Sequence, residues 1–283
     1  MEQMASMLEE KLTDDNWDEY LITSLSRDLG HVQILPSNVL PRSLSSPQWS
    51  RDLRTQIFTW FDEMRKKEEY PIGRQTVYLA MNFYDRYCST VLIPETVDDA
   101  LKKRLYTIGK VSLALASKLQ EEKAVPFEEC TSDSMSVYDI EQVEFILLKA
   151  LKFEMKSITP FHYLEHMVTI FRDNFNEYQM REEEIDILLS NLKDEIGQLV
   201  LDMNCEGTLL NRRPFIIAAV ATIKVLESLI SPSISAPKIL SMKLFEDDME
   251  VVEKNQRKQK LKTELASLVE AYESRKRKRT DPE

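Results

Sequence analysis

Apolar residues recur at helical spacing along most of this chain. In SRDLRTQIFTWFDEMRKKEE, Leu53, Ile57, Trp60, Phe61 and Met64 fall at steps of three and four, which predicts a helix with one buried face capped at its start by Ser50. GRQTVYLAMNFYDRYCS (73–89) and VDDALKKRLYTIGKVSLALASKLQEE (97–122) follow as two further helices. The second is apolar almost all round from Val111 to Leu119, so it is expected at the centre of a bundle, surrounded by the others. A short helix around Pro126 to Cys130 and a longer one in VYDIEQVEFILLKALKFEM (137–155) complete five elements before Ser157.

From Thr159 the pattern starts again. PFHYLEHMVTIFRDNF (160–175), REEEIDILLSNLKDEIGQLVLDMN (181–204) and RPFIIAAVATIKVLESLI (213–230) predict three helices, with Pro160 and Pro214 near a first-turn position where proline is tolerated. The third is again the apolar one, so the two sets look like a structural repeat offset by about 100 residues. A short helix near 236–244 and a polar one over 248–272 would complete the second five. An amphipathic stretch from Met7 to Leu25 and the segment LPSNVLPRSLSSPQW, with three prolines and several serines, precede the first set; such a segment is a connection rather than an element. The expectation is an all-α protein: an N-terminal helix and linker over 1–40, one five-helix unit over 41–156, a second over 157–272, and a disordered basic tail over 273–283.

Composition agrees with that architecture and narrows the function. Five glycines and 11 prolines in 283 residues leave few of the turn residues a sheet protein needs. A formal charge of -11 opposes a general affinity for a phosphate backbone, so the expected partner is a protein, with neither nucleic acid nor membrane involved. The exception is the basic run Arg275, Lys276, Arg277, Lys278 and Arg279, which has the form of a nuclear-import signal and points to nucleus and cytoplasm. The longest apolar run, PFIIAAVATIKVL, is interrupted by Lys224 short of the ~20 residues that a membrane span needs. The N-terminus is acidic and amphipathic, unlike a signal peptide. Cys88, Cys130 and Cys205 are odd in number and far apart, suggesting neither a disulfide framework nor structural zinc.

One short pattern carries possible chemistry. His162, Glu165 and His166 spell H-x-x-E-H, the ligand order of one class of zinc peptidases. Catalytic zinc needs a third protein ligand, and the only other histidine is the distant His31. The flanking Phe161, Leu164, Val168 and Phe171 form an ordinary core-facing stripe. Two histidines on a helix surface is the simpler account, with zinc hydrolysis the remote alternative. No phosphate-binding glycine loop and no nucleophile elbow occurs. The expectation is therefore a protein that is not an enzyme and needs no cofactor.

Four stretches together carry a resemblance: LRTQIFTW (53–60), NFYDRYCS (82–89), LASKLQEE (115–122) and VEFILLKALKFEM (143–155). In order and spacing they resemble a cyclin box, and ITPFHYLEHMV and RRPFIIAAV extend the likeness toward D-type cyclins, plant ones in particular. The resemblance covers about residues 40 to 230. It implies two tandem five-helix cyclin folds preceded by an N-terminal helix. It also implies a non-catalytic subunit that binds and activates a cyclin-dependent kinase and promotes the G1/S transition. The positions matching the kinase-facing surface are Lys118 and Glu144 as charged anchors, with Leu119, Phe145 and Leu148 as its apolar part. Arg54 and Asp85 match an internal ion pair. Leu53, Ile57, Trp60 and Glu63 match a patch with which several cyclins dock a basic-hydrophobic substrate motif; ordinary helix packing is the other account of the same four. Gln56, Tyr106 and Thr107 depart from the usual residues there. No L-x-C-x-E motif for retinoblastoma-type proteins is present, so such a substrate would have to be reached without it. A cyclin-fold transcription factor or scaffold stands as the alternative.

Overall fold

A computed structural model describes residues 48–91, 94, 96–130, 136–164, 182–205 and 214–230. Every regular element among them is helical. They fall into two compact units, one built on residues of 48–159 with 201–205, the other on 160–164, 182–200 and 214–230. The amphipathic stretch at Met7 to Leu25, the helices expected near 236–244 and 248–272, and the basic tail lie outside the described residues.

In the first unit α1 spans Gln48–Arg65 and buries Leu53, Arg54, Ile57, Phe61 and Met64, the face its spacing predicts with Arg54 added and Trp60 only half-buried. Ser50 lies inside this helix instead of capping it. The first turn is held by side chains, with Gln48 donating to Asp52 at 2.7 Å and Arg51 donating to Gln48 at 2.6 Å. Helix α2, Arg74–Thr90, begins at Gly73, which has no side chain to cap the exposed amides. The carboxylate of Glu121, at the far end of the next helix, supplies the cap. It accepts from the Gly73 N–H at 2.7 Å and from the Thr76 hydroxyl. Negative charge there also meets the positive end of the helix dipole.

Helix α3, Asp99–Gln120, is the central one. Asp98 caps it by accepting from the Leu101 N–H at 2.7 Å, and every residue from Val111 to Ser117 is buried. Burial stops there: Lys118 is exposed and Leu119 is 48 % exposed, so the enclosed stretch ends two residues earlier than the apolar run suggests. Polar groups inside the buried length satisfy themselves locally, as buried polar groups must. Thr107, Ser112 and Ser117 donate to the Lys103, Ile108 and Ala114 carbonyls. The Ser117 hydroxyl also accepts from the Val125 N–H at 2.9 Å, which pins the returning chain.

The α1–α3 contact depends on Gly109. A Cβ at that position would sit 2.7 Å from Ile57 Cγ2 and 2.8 Å from Cδ1. The two helices approach this closely because one of them carries no side chain.

The short helix expected near Pro126 is a 3-10 turn at Phe127–Cys130. Helix α4, Val137–Ala150, starts with a capping box: the Asp139 N–H donates to Ser136 Oγ at 3.2 Å, while the Asp139 carboxylate accepts from the Ser136 N–H at 2.9 Å. Those backbone and side-chain hydrogen bonds hold the Asp139 carboxyl below its usual range. The helix stops at Ala150, short of the expected Met155, because Lys152 and Phe153 adopt φ values of 54° and 57°. In this left-handed turn the Phe153 N–H reaches back to the Leu148 carbonyl at 2.9 Å, satisfying a group the ending helix would leave open. Arg86 of α2 donates to the Leu151 and Glu154 carbonyls and fastens the turn.

In the second unit residues 161–164 are helical, and the further described elements are α5 (Glu182–Cys205) and α6 (Pro214–Ile230). The last turn of α5 counts with the first unit. Pro214 is the first helical residue of α6, and Phe215 to Ala221 are all buried, the continuous apolar helix the pattern predicts. Tyr163 and Phe215 meet edge to face at 5.4 Å.

A candidate partner-binding surface

Where α3 leaves the core, its last turn carries Lys118, a cation at the negative end of a helix. Lys118 Nζ lies 2.7 Å from Glu144 Oε1 on α4. The same ammonium stands 3.9 Å from the centre of the Phe127 ring, so one cation is shared between a carboxylate and an aromatic face. The lysine side chain is 40 % exposed and the glutamate 18 %, which leaves the pair open to an approaching surface.

The end of α3, helix α4 and the turn after it carry apolar side chains that are uncovered. Phe145 is 47 % exposed, Tyr138 67 % and Phe153 60 %, with Val137, Ile146 and Leu119 also exposed and Leu148 half-buried. Helix α4 buries only Ile140 and Leu147, and leaves four of its apolar side chains, Val137, Tyr138, Phe145 and Ile146, exposed. Exposed large apolar side chains concentrated on one helix and its end suit a protein interface. The five positions expected here, Lys118, Leu119, Glu144, Phe145 and Leu148, all lie on α3 and α4. Sequence reasoning left out Tyr138, Ile146 and Phe153. No sequence signal marked Phe153, because the expected helix ran past it to Met155.

The other predicted residues are placed differently. Arg54 is buried and donates twice to Asp85, Nε to Oδ1 and Nη2 to Oδ2, both at 2.9 Å. Its Nη1 donates to the carbonyls of Asn204 and Cys205 at 2.9 and 2.8 Å. Burial opposes the Arg54 charge, but the charge and hydrogen bonds of Asp85 outweigh it, and the guanidinium pKa lies above its ordinary value. Of the four patch positions, Leu53 and Ile57 are core residues, 6 % and 1 % exposed. Trp60 is half-buried and Glu63 exposed. Lys110 stands over both the Trp60 ring, at 5.1 Å, and the Tyr106 ring, at 5.5 Å. Burial and the nearby charge of Glu63 raise the Tyr106 hydroxyl pKa. Among the described residues no three His, Cys, Asp or Glu side chains gather as a metal site. His162 is described and half-buried, while Glu165 and His166 of the H-x-x-E-H pattern, like Arg275 to Arg279, lie outside the described residues. All three cysteines are free thiols.

Comparison with known proteins gives this surface a setting. Residues 27–156 match the family "Cyclin, N-terminal domain". The chain is 28 % identical over 216 residues to cyclin-D6-1 of Arabidopsis thaliana, covering 76 % of this chain and 67 % of the relative. It is 28 % identical over 166 residues to cyclin-D2-2 of rice, Oryza sativa subsp. japonica, covering 56 % and 41 % of the two chains. It is 30 % identical over 119 residues to the G1/S-specific cyclin-D1 of Danio rerio, covering 41 % and 38 %. Several relatives are therefore matched over less than half of their own length. Among solved structures, a viral cyclin from herpesvirus saimiri superposes with a TM-score of 0.57 at 17 % identity, covering 88 % of this chain and 97 % of that one. That likeness concerns the fold: the helices described above have the cyclin architecture.

Proposed function

We propose that this chain, which carries a cyclin N-terminal domain over residues 27–156 and is similar to plant D-type cyclins, is the regulatory subunit of a cyclin-dependent protein kinase, acts at the G1/S transition, and has no catalytic activity of its own. One observation carries the reading: the Lys118–Glu144 pair at 2.7 Å, with the exposed Leu119 and Phe145 next to its two members in the chain and further exposed aromatics, Tyr138 and Phe153, on and just past α4. Apolar side chains supply the area and the charge pair supplies register, because exposed ion pairs alone contribute little.

A kinase becomes active when its regulatory helix places a glutamate against the ATP-binding lysine. A partner promotes that state only by binding it more tightly than the inactive one. Moving such a switch from 1:99 to 99:1 takes a differential affinity of about 5.5 kcal/mol. In this reading Lys118 and Glu144 hold backbone near the kinase's regulatory helix and the α4 aromatics cover it. The Arg54–Asp85 pair serves the fold. A retinoblastoma-type substrate would be presented without an L-x-C-x-E motif, and no nucleic acid or membrane takes part. The run Arg275 to Arg279 directs nuclear import, so the protein is distributed between nucleus and cytoplasm.

The test is co-purification with a cyclin-dependent kinase and phosphorylation of a retinoblastoma fragment. Wild type should bind and activate. Lys118→Ala with Glu144→Ala should keep its helical circular dichroism and lose both. Failure of the wild type with every kinase tried would remove the regulatory reading and leave the fold alone.

A further inference from the structure

Helix α4 ends in a turn that its own residues disfavour. Lys152 and Phe153 stand at φ 54° and 57°, a left-handed backbone that crowds the Cβ of any residue but glycine. Glycine is the usual residue at such a helix end. Here the chain has a lysine and a phenylalanine, and the phenylalanine is 60 % exposed, so its ring returns little to the core. Leu151, two positions earlier, is buried; the turn seats one side chain in the bundle and leaves the other outside. Two left-handed residues in succession persist only where their surroundings hold them, and strain held in this way gathers at functional sites.

The holding group comes from another helix. Arg86 of α2 donates from Nη2 to the Leu151 carbonyl at 3.2 Å and from Nη1 to the Glu154 carbonyl at 2.9 Å, with the Ser157 hydroxyl at 3.5 Å. One planar guanidinium therefore grips the backbone on both sides of the two left-handed residues.

We propose that Arg86 is a positioning residue for the partner surface: it locks the reversal at Lys152 and Phe153 and so fixes how the Phe153 ring is presented. The inference rests on the regulatory-subunit reading, in which Phe153 belongs to the surface that meets the kinase. An exposed aromatic held in one orientation loses less freedom on binding than one carried by a loose segment. Arg86 thus acts on affinity without touching the partner.

The test is a double-mutant cycle on the full chain, with affinity for a co-purifying cyclin-dependent kinase measured by titration calorimetry. Arg86→Met keeps the aliphatic stem and removes the donors, while Phe153→Ala removes the ring. Each should weaken binding at least about tenfold, the scale of one interface anchor. The double variant should bind no more than about twofold more weakly than the weaker single one, because both changes remove the same contact. Losses that multiply in the double variant, or an unchanged affinity in Arg86→Met, overturn the proposal. So does a role in stability alone, which would lower the fraction of competent protein, read as the stoichiometry, and leave the dissociation constant of the rest unchanged. Hydrogen exchange of the free chain is followed in parallel. The Phe153 amide, bonded to the Leu148 carbonyl, should exchange at least about tenfold faster in Arg86→Met, and equal exchange would show that Arg86 does not hold the turn. If wild type binds no kinase, the regulatory reading fails and takes the partner role of Arg86 with it, while the exchange result still decides whether Arg86 fastens the turn.

Discussion

Arg54 makes four short hydrogen bonds from a buried position: two to Asp85 and one each to the Asn204 and Cys205 carbonyls. Replacing it with methionine keeps the aliphatic stem and removes every one of them. Asp85, with a side chain 16 % exposed, is left as an uncompensated carboxylate, and breaking a buried pair in this way costs about 3 to 5 kcal/mol. The two carbonyls belong to the last turn of α5, where no intrahelical donor is available, and each buried acceptor left open costs about 1 kcal/mol or more. Arg54→Met should therefore lose about 5 kcal/mol or more, a large part of the roughly 5 to 15 kcal/mol by which a domain is stable. Asp85→Asn retains a hydrogen-bonding oxygen and leaves the α5 contacts untouched, so its cost should be about 2 kcal/mol smaller or more. Urea unfolding followed by circular dichroism measures both. The interaction should also resist salt, because the charges are buried. An Arg54→Met loss under about 1.5 kcal/mol would refute the buried-pair argument. A cost for Asp85→Asn equal to that of Arg54→Met would show that capping α5 contributes nothing.

Two further outcomes follow from the packing and the thiols. Gly109→Ala should destabilise by about 1 to 2 kcal/mol despite the better helix propensity of alanine, since its Cβ overlaps Ile57. The same change made in an Ile57→Ala background should be neutral or stabilising, and a penalty that persists there would show that the contact is not the cause. Desolvation pushes the Cys88 and Cys130 thiols up to about 12, above the ~8.5 of an unfolded cysteine. The fold therefore favours the neutral thiols; their stabilisation is complete below about pH 8.5 and declines as pH rises toward about 12. Urea midpoints should fall across that alkaline window, less steeply in a Cys88→Ala, Cys130→Ala double variant, and an identical slope in the two proteins would contradict the assignment.

Periodicity alone located the described helices, because a helix in a bundle must show one apolar stripe and a surrounded helix must show several. It placed α2, α5 and α6 within a residue or two of their ends and singled out α3 and α6 as the enclosed elements. The boundaries it missed belong to local geometry. The end of α4 moves because two residues without glycine take positive φ, and α1 starts ahead of Ser50, held by Gln48, Arg51 and Asp52. The resemblance supplied the candidate residues, and the coordinates sorted them into different physical classes. Lys118 and Glu144 form a partly open pair, whereas Leu53 and Ile57 lie in the core.

Hydrophobic spacing by itself determined an all-helical chain with a central buried helix, since burial of apolar surface acts on each segment through its own pattern. It could not determine which apolar side chains would remain uncovered. Val137 and Ile140 are three residues apart on the same face of one helix, yet Val137 is 37 % exposed and Ile140 fully buried. Nor could it show that Glu121 caps a helix whose N-cap, Gly73, lies 48 positions earlier, or that Arg54 reaches carbonyls 150 and 151 positions away. Such pairings are decided by where packing brings separate helices together, because a hydrogen bond or an ion pair acts over a few ångströms of space whatever the distance along the chain.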